Sequence, residues 1–186
     1  EEGGNDYPFY VTAHEVAHQW FAHQVIGADV LGATVMSESL SEYVGLKIIE
    51  SVNGKNKMRK FLKKSLDDYL LSRTFETKRE NALMFNDGQG YIHYQKGSLV
   101  FYALSDYLGE ENLNKAISRY VKKVAFQDPP YTTSIELLNY IKEVTPDSLN
   151  YILKDMFETI TLYDNNAISA TSKKMDNGKY KIDFEF

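Results

Sequence analysis

His14-Glu15-Val16-Ala17-His18 places two of the chain's four histidines four positions apart. On a helix, side chains four apart share a face, offset by about 40°. Both imidazoles can then reach one metal ion. Glu15 sits about 100° further round from His14, beside such a metal rather than on it. The pattern is H-E-x-x-H, and its residue types are those of two zinc ligands and a general base. His14 and His18 are therefore candidate ligands and Glu15 a candidate base. The competing reading is a pair of core histidines with ordinary hydrogen-bond partners, so the surrounding sequence has to decide.

That surrounding sequence predicts a helix over residues 9–25. Asp6 is a candidate N-cap, and Pro8 is tolerated in a first turn. No Gly or Pro interrupts 9–25, and Val11, Val16, Ala17, Trp20, Phe21 and Val25 recur at spacings near three and four, as one apolar side. Gly27 and Gly32 then turn the chain. Leu40, Tyr43, Val44, Leu46, Ile48 and Ile49 predict a second helix over 37–52, broken at Asn53-Gly54. A helix, a turn and an antiparallel helix would return Glu38 toward the histidine pair, with 19 residues between it and His18. Zinc in a hydrolase keeps three protein ligands and one open position for water. Glu38 is thus the candidate third ligand; its other reading is a first-turn carboxylate favoured by the helix dipole.

Further on, Tyr94 stands just ahead of an apolar helix predicted over 96–108. A phenol there can donate to a developing oxyanion, although the chain has 14 tyrosines and most serve structure. Glu42, four residues after Glu38, shares its helix face. It either holds the free ring N–H of His14 or His18 or is an exposed carboxylate. His23, about 140° round from His18, is read as outside the ligand set. His93 is read as a surface residue, with a place in the cleft beside Tyr94 as the alternative.

His14-Glu15-Val16-Ala17-His18-Gln19-Trp20-Phe21, then Ser37-Glu38-Ser39-Leu40-Ser41-Glu42-Tyr43, then Tyr94-Gln95-Lys96-Gly97 together resemble the aminopeptidase N family of zinc metallopeptidases, the gluzincins. The three motifs fall in the family's order and cover roughly residues 7 to 105. The resemblance implies a mainly α, thermolysin-like catalytic domain. It also implies one zinc ion held by His14, His18 and Glu38, with Glu15 as general base and Tyr94 stabilising the oxyanion. The implied activity is zinc-dependent peptide hydrolysis, aminopeptidase-like action on a peptide substrate. The chain departs from the family by one extra residue between His18 and Glu38, by Ser37 and Ser39 around that Glu, and by Gln95 after the Tyr. The family's amine-anchoring Gly-x-Met-Glu-Asn motif normally lies upstream and is not in this sequence, which marks the chain as a fragment or the branch as one that dispenses with it. The wording at His23-Gln24-Val25-Ile26-Gly27-Ala28-Asp29 resembles peptidase domains attached to bacterial membrane and transporter-like proteins, which implies a membrane-associated parent.

Composition bounds the remainder. Apolar content of 43% and charged content of 25% suit one ordinary globular domain with room for a small appendage. A net charge of −5 excludes a general nucleic-acid footprint. With no cysteine, disulfides and thiolate ligands are excluded. No apolar run is long enough to span a membrane. Helices are also predicted over 55–73, 110–125, 133–144 and 147–158, with Thr133 or Ser134 capping the penultimate one and a loop over 74–93 turning at Asn86-Asp87-Gly88. The basic run Lys55–Lys64 is read as a solvated helix face, or alternatively as a contact for an anionic membrane. Past Thr159, alternating residues around Asn177-Gly178 predict a β-hairpin that starts a truncated β domain. Expected domains are 1–162, the helical catalytic domain, and 163–186, the hairpin. The alternative to an enzyme is a non-catalytic, zinc-containing peptide-binding or regulatory domain of a larger membrane-associated protein. An iron site built from two histidines and a carboxylate uses the same ligand types, but the adjacent Glu15 and Tyr94 favour zinc hydrolysis.

Overall fold

A computed structural model describes residues 6–162 and 166–185. The chain is mainly helical, with one two-stranded antiparallel hairpin at its end. Helix α1 runs Asp6–Ala17, so Asp6 is already helical rather than the residue before the helix. A π-turn at Val35–Ser39 leads into α2, Leu40–Asn53. Helix α3 runs Lys55–Phe75. A second π-turn, Ile92–Lys96, leads into α4, Gly97–Tyr107. Helices α5, Glu110–Val124, and α6, Ser134–Lys142, follow. The short α7, Asn150–Leu153, runs into a third π-turn, Lys154–Glu158.

Apolar periodicity explains most of these elements. In α5, Leu113, Ala116, Ile117, Tyr120 and Val124 all turn inward, the three- and four-residue recurrence of an amphipathic helix. Glu110 and Glu111 open that helix and Lys122 and Lys123 close it, which complements its dipole. Thr133 caps α6 by accepting the Glu136 N–H at 3.4 Å. In α2, Leu40, Tyr43, Leu46 and Ile49 are buried. Leu40 joins the main core with Phe101 and Leu104 of α4 and Phe157, while Leu46, Ile49, Met58 and Tyr102 form a smaller cluster between α2, α3 and α4. Each fully buried side chain of this size contributes about 1.5–3 kcal/mol.

Helix α1 packs on α2. Tyr10 lies against Gly45, and one turn on, His14 faces Glu42 and Glu38. Rising numbers on one helix meet falling numbers on the other, so the pair is antiparallel.

The first helix is shorter than its sequence predicts. It ends at Ala17 rather than Val25, and Val16 and Trp20, placed on the apolar side by periodicity, are 51% and 47% exposed. Beyond Ala17 the chain folds into tight turns, with Phe21 and Val25 buried and bridged to each other and Ala22 at a φ of 114°. Burial of those two side chains against the core overrides a helical pattern that no Gly or Pro interrupts.

The basic segment of α3 is a solvated face. Lys55, Lys63 and Lys64 pair with Asp106, Asp67 and Asp68 in exposed ion pairs. Among the described residues, no helix is long and apolar enough to cross a membrane. The hairpin pairs β1, Ser169–Lys174, with β2, Tyr180–Glu185, Lys174 opposite Tyr180 and Ser169 opposite Glu185. All twelve strand residues are exposed, Tyr180, Ile182 and Phe184 among them.

Candidate metal centre

His14 lies in the last turn of α1 and His18 just past its end. Their rings meet edge to face with centroids 4.7 Å apart, and their Nε2 atoms are 3.0 Å apart. Glu38, in the π-turn before α2, brings Oε2 to 3.4 Å from His14 Nε2 and 3.5 Å from His18 Nε2. One ligand atom from each of the three lies within 4.8 Å of the others. Two imidazole nitrogens facing each other beside a carboxylate need a cation or a proton between them. Two nitrogens and an oxygen are a donor set that suits zinc with a position left open.

Each histidine is oriented from behind. His18 Nδ1 lies 2.8 Å from the Phe21 carbonyl and 3.2 Å from Ser41 Oγ. A carbonyl only accepts, so Nδ1 carries the proton and Nε2 keeps its lone pair for a metal. The early end of α1 thus has a consequence for the site: the turn after Ala17 carries the Phe21 carbonyl back onto the His18 ring. His14 Nδ1 lies 2.9 Å from Glu42 Oε1, out of line for a hydrogen bond, so that contact is electrostatic. Glu42 also accepts a hydrogen bond from the half-buried Tyr10 hydroxyl. Burial pulls the His14 imidazole down, but Glu38 and Glu42 outweigh it and push its pKa up to about 9. The bond from His14 holds the Glu38 carboxyl below the usual carboxylate range despite its burial.

Tyr94 sits in the middle of the second π-turn, its ring centroid 6.1 Å from that of His14. Burial first, and then the Glu38 charge, push its phenol up to about 12. It therefore stays protonated at neutral pH. Glu15 is exposed, and with His14, Glu42 and Tyr94 it faces a cleft of about 410 Å³ whose other walls include Tyr7, Tyr10, Val11 and Phe61.

His93 departs from its sequence reading. It is buried, at 6% exposure, with its ring 4.4 Å from that of Tyr94. The cause is Asn86, which is itself buried. Its Oδ1 accepts the Gln89 N–H, so its Nδ2 must donate, to Thr34 Oγ1 at 2.9 Å and to His93 Nδ1 at 2.8 Å. Burial holds the His93 imidazole below its ordinary pKa. His23 lies outside the cluster, its Nδ1 on the His18 carbonyl at 2.6 Å.

Residues 5–159 match the family model described as the Peptidase family M1 domain. The chain belongs to peptidase family M1. Its relatives include endoplasmic reticulum aminopeptidase 2 of Homo sapiens, 26% identical over 136 residues, a match that takes in 63% of this chain and 13% of that protein. Another is the leucyl aminopeptidase of Saccharolobus solfataricus, 26% identical over 178 residues, 89% of this chain and 21% of that protein. The chain thus spans about a fifth or less of the length of these curated M1 relatives. In fold it is similar to a mutant M1 zinc metallopeptidase from Deinococcus radiodurans bound to a Tyr-Ser-Ala substrate, at a TM-score of 0.63 and 24% identity over 83% of this chain and 34% of that one.

Several residues that shape this candidate centre gave no signal in the sequence. Phe21 acts through its backbone, Ser41 and Asn86 are polar residues among many, and Glu80 is one of 26 acidic side chains. Glu80 is nonetheless buried and bonded to Lys96, two residues after Tyr94.

Proposed function

We propose that this chain is the helical catalytic part, residues 1–162, of a zinc-dependent aminopeptidase, and that residues 163–186 begin a following β domain. The convergence of His14, His18 and Glu38 beside a cleft faced by Glu15 and Tyr94 carries the reading. The family resemblance and the aminopeptidase names of the relatives support it.

In this reading His14, His18 and Glu38 hold one zinc ion. The chemistry such an ion supplies is Lewis acidity toward a water and a carbonyl oxygen. Glu15, solvated and facing the cleft, takes a proton from the attacking water and later delivers it to the departing amine. Tyr94 donates its hydroxyl to the oxygen of the tetrahedral species. Donors of this kind are worth roughly 3–4 kcal/mol each. Glu42 and the Phe21 carbonyl keep the two imidazoles in place from behind.

The test is peptide hydrolysis by the zinc-loaded chain, read by mass spectrometry, with Glu15→Gln alongside. The wild type is expected to shorten peptides from their amino ends. The variant should retain one zinc and lose turnover by about 10²–10⁴-fold, the range of general-base catalysis. Near-equal rates for the two proteins would overturn the assignment of Glu15. Internal cleavage would replace aminopeptidase by endopeptidase. Zinc binding without any cleavage by the wild type would favour a binding module.

A further inference from the structure

Glu38 and Tyr94 lie 56 positions apart in sequence, yet each is one residue away from the same hydrogen bond. Ser39, which follows Glu38 and closes its π-turn, is fully buried. Its Oγ–H donates at 2.7 Å to the carbonyl of His93, which precedes Tyr94 in the other π-turn. The two turns are pressed together at this point. A Cβ added to Gly97 would lie 2.2 Å from Ser39 Oγ, so only glycine fits opposite the hydroxyl. The Tyr94 turn is anchored again by Asn86 on the His93 ring and by Glu80 on Lys96 Nζ at 2.8 Å. Glu80 ties it to the neighbouring loop, and Asn86, which also donates to Thr34 just before the Glu38 turn, is an indirect link between the two turns. Ser39 ties it to the π-turn that carries Glu38.

We infer that Ser39 is a positioning residue, whose buried bond to the His93 carbonyl sets the separation between the metal-ligating Glu38 and the Tyr94 hydroxyl. The inference rests on the peptidase reading for its kinetic consequences and on geometry alone for its structural ones. An oxyanion donor works only at hydrogen-bond distance from where charge develops, and misplacing such a group by about 1 Å can cost about 10²-fold in rate. With the hydroxyl gone, the His93 carbonyl loses its donor and the contact against Gly97 loosens. Tyr94 then drifts relative to Glu38, while His14, His18 and Glu38, held by their own neighbours, stay in place.

The experiment compares wild type, Ser39→Ala, Tyr94→Phe and the double variant, all zinc-loaded, with Ser39→Gly as a second form of the same deletion should the alanine variant fold poorly. Ser39→Ala is expected to lower kcat about 10–100-fold, leaving KM and zinc affinity within about threefold. In the Tyr94→Phe background the same change should cost less than about twofold, because the two residues act as one unit. Equal losses in both backgrounds, or a loss of zinc affinity to match the loss of rate, would make Ser39 merely structural and overturn the inference. A wild-type chain that binds zinc without cutting peptides would sink the peptidase reading alone. Crystal structures of wild type and Ser39→Ala then decide: a Tyr94 hydroxyl displaced from Glu38 upholds the inference, and an unmoved one overturns it.

Discussion

His14 shows how much a single residue's role depends on what stands behind it. Its Nε2 faces His18 and Glu38, but its Nδ1 faces Glu42 at 2.9 Å, and Glu42 is itself held by Tyr10. A ligating imidazole backed by a carboxylate is fixed in orientation and gains basicity. Glu42→Gln should therefore weaken zinc binding by about 10–100-fold, read by competition with a chelator; unchanged affinity would remove Glu42 from the site. The pairing of His14 with His18 was legible from their four-residue spacing, whereas Glu38, on a separate element, came from the return of a second helix and from the family resemblance. The partner of His18 was not legible. It is a backbone carbonyl, Phe21, brought round by turns that form only because Phe21 and Val25 bury their side chains. His93 likewise read as a surface residue, since nothing local reveals the buried Asn86 seven positions earlier.

Between residues and the whole fold stand the turns that carry Glu38 and Tyr94. Both are π-turns, Val35–Ser39 and Ile92–Lys96, a geometry that often marks functional sites. Periodicity starts the helices at 37 and 96 and leaves Tyr94 in the run-up to the second; a single widened turn of five residues is too short to show in a pattern read over several turns. The long helices α2, α3, α4 and α5 came out close to their sequence reading because glycine breaks and apolar spacing agree there. The clamp behind Tyr94 was invisible. Glu80, its side chain 3% exposed, accepts from Tyr69, from Arg73 Nε at 2.6 Å and from Lys96 Nζ at 2.8 Å. Burial alone would raise its carboxyl pKa, but Lys96, Arg73 and Tyr69 outweigh burial and hold it below the ordinary glutamate value. A carboxylate with a depressed folded-state pKa stabilises the fold above its unfolded value, about 4.3. That stabilisation is lost as pH falls through the lower folded value. Glu80→Gln should cost about 3–5 kcal/mol at pH 7, because it leaves Lys96 unpaired in a buried setting. Urea unfolding should show the gap between variant and wild type narrowing as pH is lowered from about 5 toward 3. A gap that stayed constant would mean the clamp acts through packing rather than charge.

For the molecule as a whole, the question is where the folding unit ends. The helical body closes on Phe157, which is 2% exposed and packs edge to face on Phe101 with ring centroids 5.7 Å apart. Every described strand residue beyond it is exposed, although Tyr180, Ile182 and Phe184 alternate along β2 as if to cover a further layer. An isolated hairpin of this kind is marginal in water, and the body gains no buried surface from it. A chain ending at residue 162 should therefore unfold within about 2 °C of the 186-residue chain, since surface changes amount to about 0.5 kcal/mol and a domain of this size shifts by roughly 2–4 °C per kcal/mol. It should also bind zinc equally well. A chain ending at residue 153 loses Phe157 from the core, a deletion worth about 3–5 kcal/mol, and its midpoint should fall by roughly 6–20 °C. Calorimetry on the three lengths separates the cases. If the chain ending at 162 unfolded as early as the one ending at 153, the hairpin would be part of the folding unit, and the proposed division after residue 162 would be in the wrong place.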